Sequence, residues 1–355
     1  MIQPNYNFSL QSGTEYKESE SEVLLSGNNV EKQWAIKNDG SFVSPGKYEQ
    51  ELHIKTVSGM DLEAPKAWEL IDREGAQKHK VVVAVLDTGI DTGHEDLQNI
   101  LWQNPGEKSD GIDNDGNGYA DDLNGWDFAE GRSNISDSVG HGTRVAGIIS
   151  ARRNETGICG IAAYDEIRIM PLKVFNKKGE TDTFSVIRAI QYAEKCGARI
   201  CNCSWGYIRS SNPDDNDILL EQTIRQSGML FVAASGNKGE NNDDIHMIPA
   251  NIESGNVLSV GSIEWDGSLS WFSNYGKTKV DLCAPGAAII STCPSGYDYD
   301  WGTSMATPYV TGIAATMCML RPALSNEQIR NLMLDESNLK KIEGLREYCV
   351  SGGIP

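Results

Sequence analysis

The run Val81-Val82-Val83-Ala84-Val85-Leu86 narrows the folds open to this chain more than any other stretch. Six apolar residues in succession leave no polar side for solvent, so a strand built from them must be covered on both faces. Residues 167–174, 200–204, 229–233 and 257–263 share that character and also read as strands. Between them, residues 183–196 place Phe184, Ile187, Ile190 and Ala193 near helical spacing, and residues 141–151, 217–226 and 303–319 read as further helices. Strands hidden on both faces and separated by helices imply an α/β fold of three layers, a mainly parallel central sheet with helices on either side.

The 355 residues are enough to bury such a core as one domain. A formal charge of −19, from 50 acidic against 31 basic residues, argues against nucleic acid or an anionic membrane as partner and suits cations or basic peptides. No apolar run reaches membrane-spanning length, and residues 1–8 have neither a basic start nor an apolar core, so neither a span nor a secretory leader is read. The eight cysteines show no paired C-x-x-C spacing and several lie in apolar runs, which points to buried reduced thiols and a reducing compartment. Residues 1–60 are polar, with an acidic patch over 15–22, and read as an extended lead-in or short pro-segment ahead of a catalytic domain over 61–355. A monomer is expected.

In a parallel sheet of this kind, chemistry gathers where strands end. Asp87 directly follows the first apolar run, Ser204-Trp205-Gly206 follows another, and Ser235-Gly236-Asn237 a third, while His141 and Ser304 open helices. A serine hydroxyl is a poor nucleophile until an imidazole takes its proton and a carboxylate orients that imidazole. Asp87, His141 and Ser304 supply those three groups, and Asn237 could donate its amide to an oxyanion.

Three motifs carry a resemblance: Asp87-Thr88-Gly89-Ile90-Asp91, His141-Gly142-Thr143-Arg144-Val145-Ala146-Gly147 and Gly302-Thr303-Ser304-Met305-Ala306-Thr307-Pro308. In that order, with Asn237 between the last two, the chain resembles a subtilisin-like serine protease, a subtilase, over roughly residues 30–352. The resemblance implies that Asp87 orients the imidazole, His141 is general base and then acid, Ser304 attacks a carbonyl, and Asn237 helps form the oxyanion hole. Peptide or protein substrates follow from it. It also implies that Ser204, Trp205 and Gly206, with Ala234, Ser235 and Gly236, wall the cleft for an extended peptide, with Pro249-Ala250 near the base of the main pocket. Arg144 is a departure, since many relatives carry a second histidine there. Secreted members usually carry a folded propeptide, for which the roughly 30 residues before Gln33-Trp34 are too few, so a short pro-segment or a processed form is expected.

Structural calcium is expected from two regions, and no organic cofactor. In residues 110–122 oxygen-bearing side chains alternate with glycines, and Asp113, Asp115 and Asn117 with the Tyr119 carbonyl and Asp122 resemble the start of an EF-hand loop. The second, by resemblance to the family's tight calcium loop, joins Asp96 to the Asn154 side chain and the carbonyls of Arg152, Thr156 and Ile158. The acidic residues Glu240, Asp243 and Asp244 suggest a taste for a basic side chain before the scissile bond. Two other readings stay open, a dedicated leader-peptide or precursor-maturation protease and a catalytically silent peptide-binding module.

Overall fold

Alternation along the apolar runs decides the layers. Val83 and Val85 are buried in one apolar cluster, Ala84 and Leu86 in another, and the same division separates Ile200, Leu230 and Val232 from Cys201, Phe231 and Ala233. The first cluster holds the buried faces of the His141–Ser150 and Thr303–Leu320 helices, the second those of the Thr183–Lys195 and Ile218–Gln226 helices. Each large apolar side chain fully withdrawn from water there contributes about 1.5–3 kcal/mol. The computed structural model describes residues 5–10, 30–45, 53–154, 156–209, 218–294 and 296–355.

In chain order the strands are β1 (Asn7–Ser9), β2 (Val81–Asp87), β3 (Trp126–Asp127), β4 (Ile167–Lys173), β5 (Glu180–Asp182), β6 (Ile200–Cys203), β7 (Tyr207–Ile208), β8 (Leu230–Ala234), β9 (Met247–Ile248), β10 (Val257–Ile263), β11 (Leu282–Pro285), β12 (Ile289–Cys293), β13 (Gly296–Asp300), β14 (Lys340–Lys341) and β15 (Gly353–Ile354). Seven of them form the central sheet in the order β11-β10-β8-β6-β2-β4-β3, every neighbouring pair parallel. The carboxyl ends of β2, β6 and β8 therefore lie side by side, which puts Asp87, Ser204 and Ser235-Gly236-Asn237 on one rim. Two-stranded antiparallel pairs decorate the frame: β1 with β5, β7 with β9, β12 with β13, and β14 with β15.

Residues ahead of the expected boundary at 60 also join the packing of the domain. Trp34, Ala35 and Ile36 are buried in the first cluster, and the Trp34 indole donates to the Ala287 carbonyl at 3.0 Å. The Gln33 amide closes on the carbonyl and N–H of Cys159 at 2.8 Å each. A short polar stretch thus carries one large indole whose burial and hydrogen bond tie it to the domain. The acidic patch at 15–22 lies outside the described residues. No disulfide joins the eight cysteines, of which all but Cys196 are buried, and among the described residues no helix is long and apolar enough to cross a membrane.

Candidate active site

Asp87 ends β2 and is 1% exposed. Its Oδ1 accepts from the Thr88 N–H at 2.7 Å and faces His141 Nδ1 at 2.8 Å, with Oδ2 3.0 Å from the same nitrogen. A carboxylate only accepts, so Nδ1 bears the proton and the lone pair is on Nε2. Burial alone would push the His141 imidazole down; the Asp87 carboxylate, helped by Asp300 and Asp137, outweighs it and holds the pKa above 6.5.

The helix that His141 opens begins at Gly140, which adopts φ 95° and has no side chain to cap it. Asp137 caps it instead: Oδ1 accepts from the N–H groups of Val139 and Gly140 at 3.0 and 2.8 Å, and Oδ2 from the N–H and hydroxyl of Thr143 at 2.9 and 2.7 Å. Gly142 lets this first turn lie against the end of β2. A Cβ there would stand 2.2 Å from the Gly89 carbonyl oxygen and 3.2 Å from Asp87 Oδ1. The Gly142 N–H is then free to donate to Thr88 Oγ1 at 2.9 Å.

Ser304 is the second residue of the Thr303–Leu320 helix. Its hydroxyl donates to the Ser204 carbonyl at 2.9 Å, while the Ser204 hydroxyl donates to the Ser304 carbonyl at 2.8 Å. The second bond has a cause in the sequence. Pro308, four residues on, has no N–H to offer the Ser304 carbonyl, so that acceptor must find a donor outside the helix. The donor is itself held in place: Asn202 Nδ2 donates to Ser204 Oγ at 2.9 Å, and Thr311 Oγ1 donates to Asn202 Oδ1 at 2.7 Å, all fully buried. The Ser304 hydroxyl is turned to Ser204 and makes no hydrogen bond to His141. Asn202 and Thr311 carry no motif that flags them; only the missing N–H of Pro308 hints that a partner is needed.

Asn237, on the turn after β8, is tied to Thr303, the residue before Ser304. Its Oδ1 accepts from both the N–H and the hydroxyl of Thr303 at 2.8 Å. A backbone N–H can only donate, so the oxygen end is fixed and the NH2 end is left as a donor, 3.3 Å from where a Gly302 Cβ would be. Arg144, on the turn after His141, reaches Asp298 Oδ2 at 3.3 Å and Asp300 Oδ2 at 3.4 Å on β13. This ion cluster was invisible in the sequence because the β12–β13 hairpin brings it in from more than 150 residues away.

The expected wall segments follow neighbouring strands β6 and β8. Ser204 is fully buried, Gly206 sits where a Cβ would press on the Ile248 carbonyl at 2.9 Å, and the Gly236 N–H donates to Thr303 Oγ1 at 3.2 Å. Ala234 and Ser235 are buried, with Ser235 Oγ donating to the Asn274 carbonyl at 3.1 Å. Trp205 is only 2% exposed, packed in the second cluster with the Phe8 ring 5.5 Å and the Phe175 ring 6.4 Å from its own, centroid to centroid. Pro249 follows β9 through a cis peptide. Of the acidic trio, Asp243 accepts from the Thr278 N–H and hydroxyl, 35 residues on, and Asp244 from the Asn241 amide, so two of the three carboxylates already hold hydrogen bonds within the chain.

The two expected cation regions differ. In the first, Asp113 and Asp115 converge with Glu107, each offering an oxygen within 4.8 Å of the others. Glu107 was missed by sequence reasoning, lying three residues ahead of the Asp-rich run. It is 7% exposed, and its Oε2 is buried without a hydrogen-bond partner, a donor set that fits a hard cation. The others are engaged elsewhere: Asn117 Oδ1 accepts from the Tyr119 N–H at 2.8 Å, and Asp122 accepts from Asn104, Asn117 and the Tyr192 hydroxyl at 2.8, 2.8 and 2.6 Å. In the second region the Ile158 N–H donates to Asp96 Oδ2 at 2.8 Å, with the Tyr297 hydroxyl packed beside it over Gly157, and Asp96 Oδ1 is buried without a partner. Burial pushes the Asp96 carboxyl up, against those donors. The Asn154 side-chain oxygen accepts from the Thr156 N–H and hydroxyl, and the Arg152 N–H donates to the Asp96 carbonyl.

The chain is similar to known proteins over most of its length. Residues 78–352 match the model of the subtilase family. The chain is 36% identical over 255 residues to alkaline elastase YaB of Bacillus sp. (strain YaB), covering 71% of this chain and 57% of that protein. It is 31% identical to thermitase of Thermoactinomyces vulgaris, covering 82% and 91% respectively. The structure of a cold adapted subtilisin-like serine proteinase superposes with a TM-score of 0.59 at 29% identity, over 75% of this chain and 85% of that one. Against alkaline elastase YaB and the thermophilic serine proteinase of Bacillus sp. (strain AK1), the chain spans 57% and 62% of the relative's length. With that match over most of its length, and an all-parallel sheet to carry it, the chain belongs to the subtilase family.

Proposed function

We propose that the chain is a serine endopeptidase that hydrolyses extended polypeptides through an acyl-enzyme. The observation that carries this reading is the Asp87–His141 hydrogen bond at 2.8 Å, which leaves a basic lone pair on Nε2 at the rim where Ser304 opens its helix. In the first step the Ser304 hydroxyl leaves the Ser204 carbonyl, passes its proton to Nε2, and Oγ bonds to the scissile carbonyl carbon. The carbonyl oxygen takes up the electron pair, and the Asn237 NH2 group with the N-terminal end of the Ser304 helix stabilises that charge. Asp87 stabilises the imidazolium formed. Collapse expels the amine, which receives the Nε2 proton, and a water activated by the same imidazole hydrolyses the ester. In the absence of substrate such a catalytic hydrogen bond is often long or unmade.

Backbone segments after β6 and β8 favour substrates in extended form, since main-chain groups pair with main-chain groups. Calcium is proposed between Glu107, Asp113 and Asp115, where it would fix the 104–122 loop and supply structural, not chemical, function. The activity is tested by a fluorophosphonate probe together with a peptide-library digest. Labelling at Ser304 and Ser304-dependent cleavage are expected, both abolished by Ser304→Ala. A folded chain that takes neither probe nor peptide to product is a silent binding module, and the proposal fails.

A further inference from the structure

β6 and β8 are neighbours in the sheet, and the chain leaving each of them touches the first turn of the Ser304 helix. After β6 the Ser204 carbonyl receives the Ser304 hydroxyl at 2.9 Å, and after β8 the Gly236 N–H donates to Thr303 Oγ1 at 3.2 Å. A substrate carbonyl carbon bonded to Ser304 Oγ, with its oxygen turned to the Asn237 amide, therefore carries its side chain into the gap between these two segments. Each segment contributes a glycine, Gly206 and Gly236, so neither wall spends a side chain on that gap.

One side chain from elsewhere fills it. A Cβ on Gly206 would meet the Met247 sulfur at 3.2 Å, and a Cβ on Gly236 would meet the Met247 methyl carbon at 2.5 Å. The thioether thus reaches from one wall to the other, and Met247 is fully buried. Its backbone is held in place: β9 pairs antiparallel with β7 in the register Ile208↔Met247, and the Met247 carbonyl accepts from the Asn251 N–H at 2.7 Å. A polar network stands beside it. Asn274 Nδ2 would also lie 2.5 Å from the Gly236 Cβ and donates to Asn242 Oδ1 at 3.0 Å, while Asn242 Nδ2 donates to the Ser235 carbonyl at 2.9 Å, all of these residues buried. A flexible thioether can shift around a methyl group, whereas an aromatic ring would need the space the thioether occupies. No carboxylate is among the nearest atoms at either glycine, so a basic side chain there would bury its charge unpaired.

We propose that Met247 is the specificity-determining residue of this cleft, a plug between Gly206 and Gly236 that restricts the position before the scissile bond to small uncharged residues such as glycine, alanine and serine. The proposal deepens the endopeptidase reading and rests on it for the consequence in turnover. A misfit of a single methylene in an apolar pocket is worth roughly 10- to 200-fold in kcat/KM, and a phenylalanine ring exceeds an alanine methyl by far more than that.

The test has two arms. In the first, peptide p-nitroanilides of the form Ala-Ala-Pro-X, with X alanine, leucine, phenylalanine or arginine, are turned over by the parent, by Met247→Gly and by Met247→Ala. The parent is expected to favour alanine over phenylalanine by at least about tenfold in kcat/KM, and Met247→Gly to raise the value for phenylalanine by about the same factor while that for alanine stays within about threefold. Met247→Ala, which keeps a Cβ, carries the comparison should Met247→Gly melt early. A parent that takes phenylalanine or arginine as well as alanine, or a ratio of phenylalanine to alanine unmoved by the substitutions, overturns the proposal. In the second arm, fluorescein-labelled Ala-Ala-Pro-Phe is titrated by anisotropy into the full chain carrying Ser304→Ala and into Ser304→Ala/Met247→Gly, with binding to the double variant expected to be about tenfold tighter. Equal affinity in the two backgrounds overturns the plug. Tighter binding by the double variant without Ser304-dependent turnover of any substrate upholds the plug and sinks the catalytic reading instead.

Discussion

Replacing Gly142 with alanine perturbs the candidate site through one atom whose surroundings are known. The new Cβ would stand 2.2 Å from the Gly89 carbonyl oxygen and 3.1 Å from Asp87 Cβ. Ordinary contact begins near 3.4 Å, and the obstructing atom is backbone, so it cannot swing aside. The helix opened by His141 must therefore recede from the end of β2 by about 1 Å. That displacement stretches the 2.8 Å bond from His141 Nδ1 to Asp87 beyond hydrogen-bond range. A misplacement of about 1 Å costs on the order of 100-fold in rate. Overpacking of this kind costs about 1–3 kcal/mol, or roughly 2–4 °C of melting temperature per kcal/mol for a domain of this order. Steady-state kinetics on a peptide substrate, beside a thermal melt, should show kcat down about 100-fold with KM nearly unchanged, since neither wall segment moves. A Gly142→Ala chain that keeps kcat/KM within about threefold at an unchanged melting temperature would refute the claim that contact between helix and strand end sets the geometry.

Four further outcomes are expected. Asn237→Leu should lower kcat by about 10²–10³ with little change in KM, the loss known for one oxyanion donor in a related subtilisin, and kinetics within tenfold of the parent would remove Asn237 from that role. Asp300→Asn removes a carboxylate that raises the His141 pKa and leaves Arg144 paired to Asp298 alone, and both changes favour the neutral imidazole. The acidic limb of kcat/KM, where neutral imidazole is lost as pH falls, should move to lower pH; a limb that stays or rises contradicts the assignment. The same raised pKa means that protonated His141 lends the fold stability in full below about pH 6.5, lost as pH climbs through the folded-state value. Calcium at a hundred times its dissociation constant should stabilise the chain by about 2.7 kcal/mol, reversed by chelator and absent in Glu107→Gln; a parent melting curve indifferent to both reagents rules the site out.

Legibility in the sequence followed the range of the interactions involved. β2 could be read because an all-apolar run ending in Asp87 carries its own evidence, and β10 came out with the expected bounds for the same reason. β11 could not, since Leu282-Cys283-Ala284-Pro285 is too short and ends in proline, and only its pairing with β10 makes it a strand. The three motif residues could be named because their neighbours Thr88, Gly142 and Pro308 constrain them locally. The ties among them were hidden: Asp137 as the cap, Asn202 and Thr311 behind Ser204, and Asp298 and Asp300 on Arg144 all depend on partners brought from elsewhere in the chain. Trp34 was legible only as a landmark of the resemblance, and its partner was not, since the Ala287 carbonyl that receives the indole lies about 250 residues away.

Pro308 has one more consequence. By denying residue 304 its partner within the helix, it leaves that peptide unit moored to the neighbouring strand end, while the remaining turns of the rod pack on their own terms. Flexing or repacking of the distal turns then hinges about the mooring instead of carrying Ser304 along. Alanine at 308 would hand the carbonyl a second suitor, and Ser304 would begin to follow the rod.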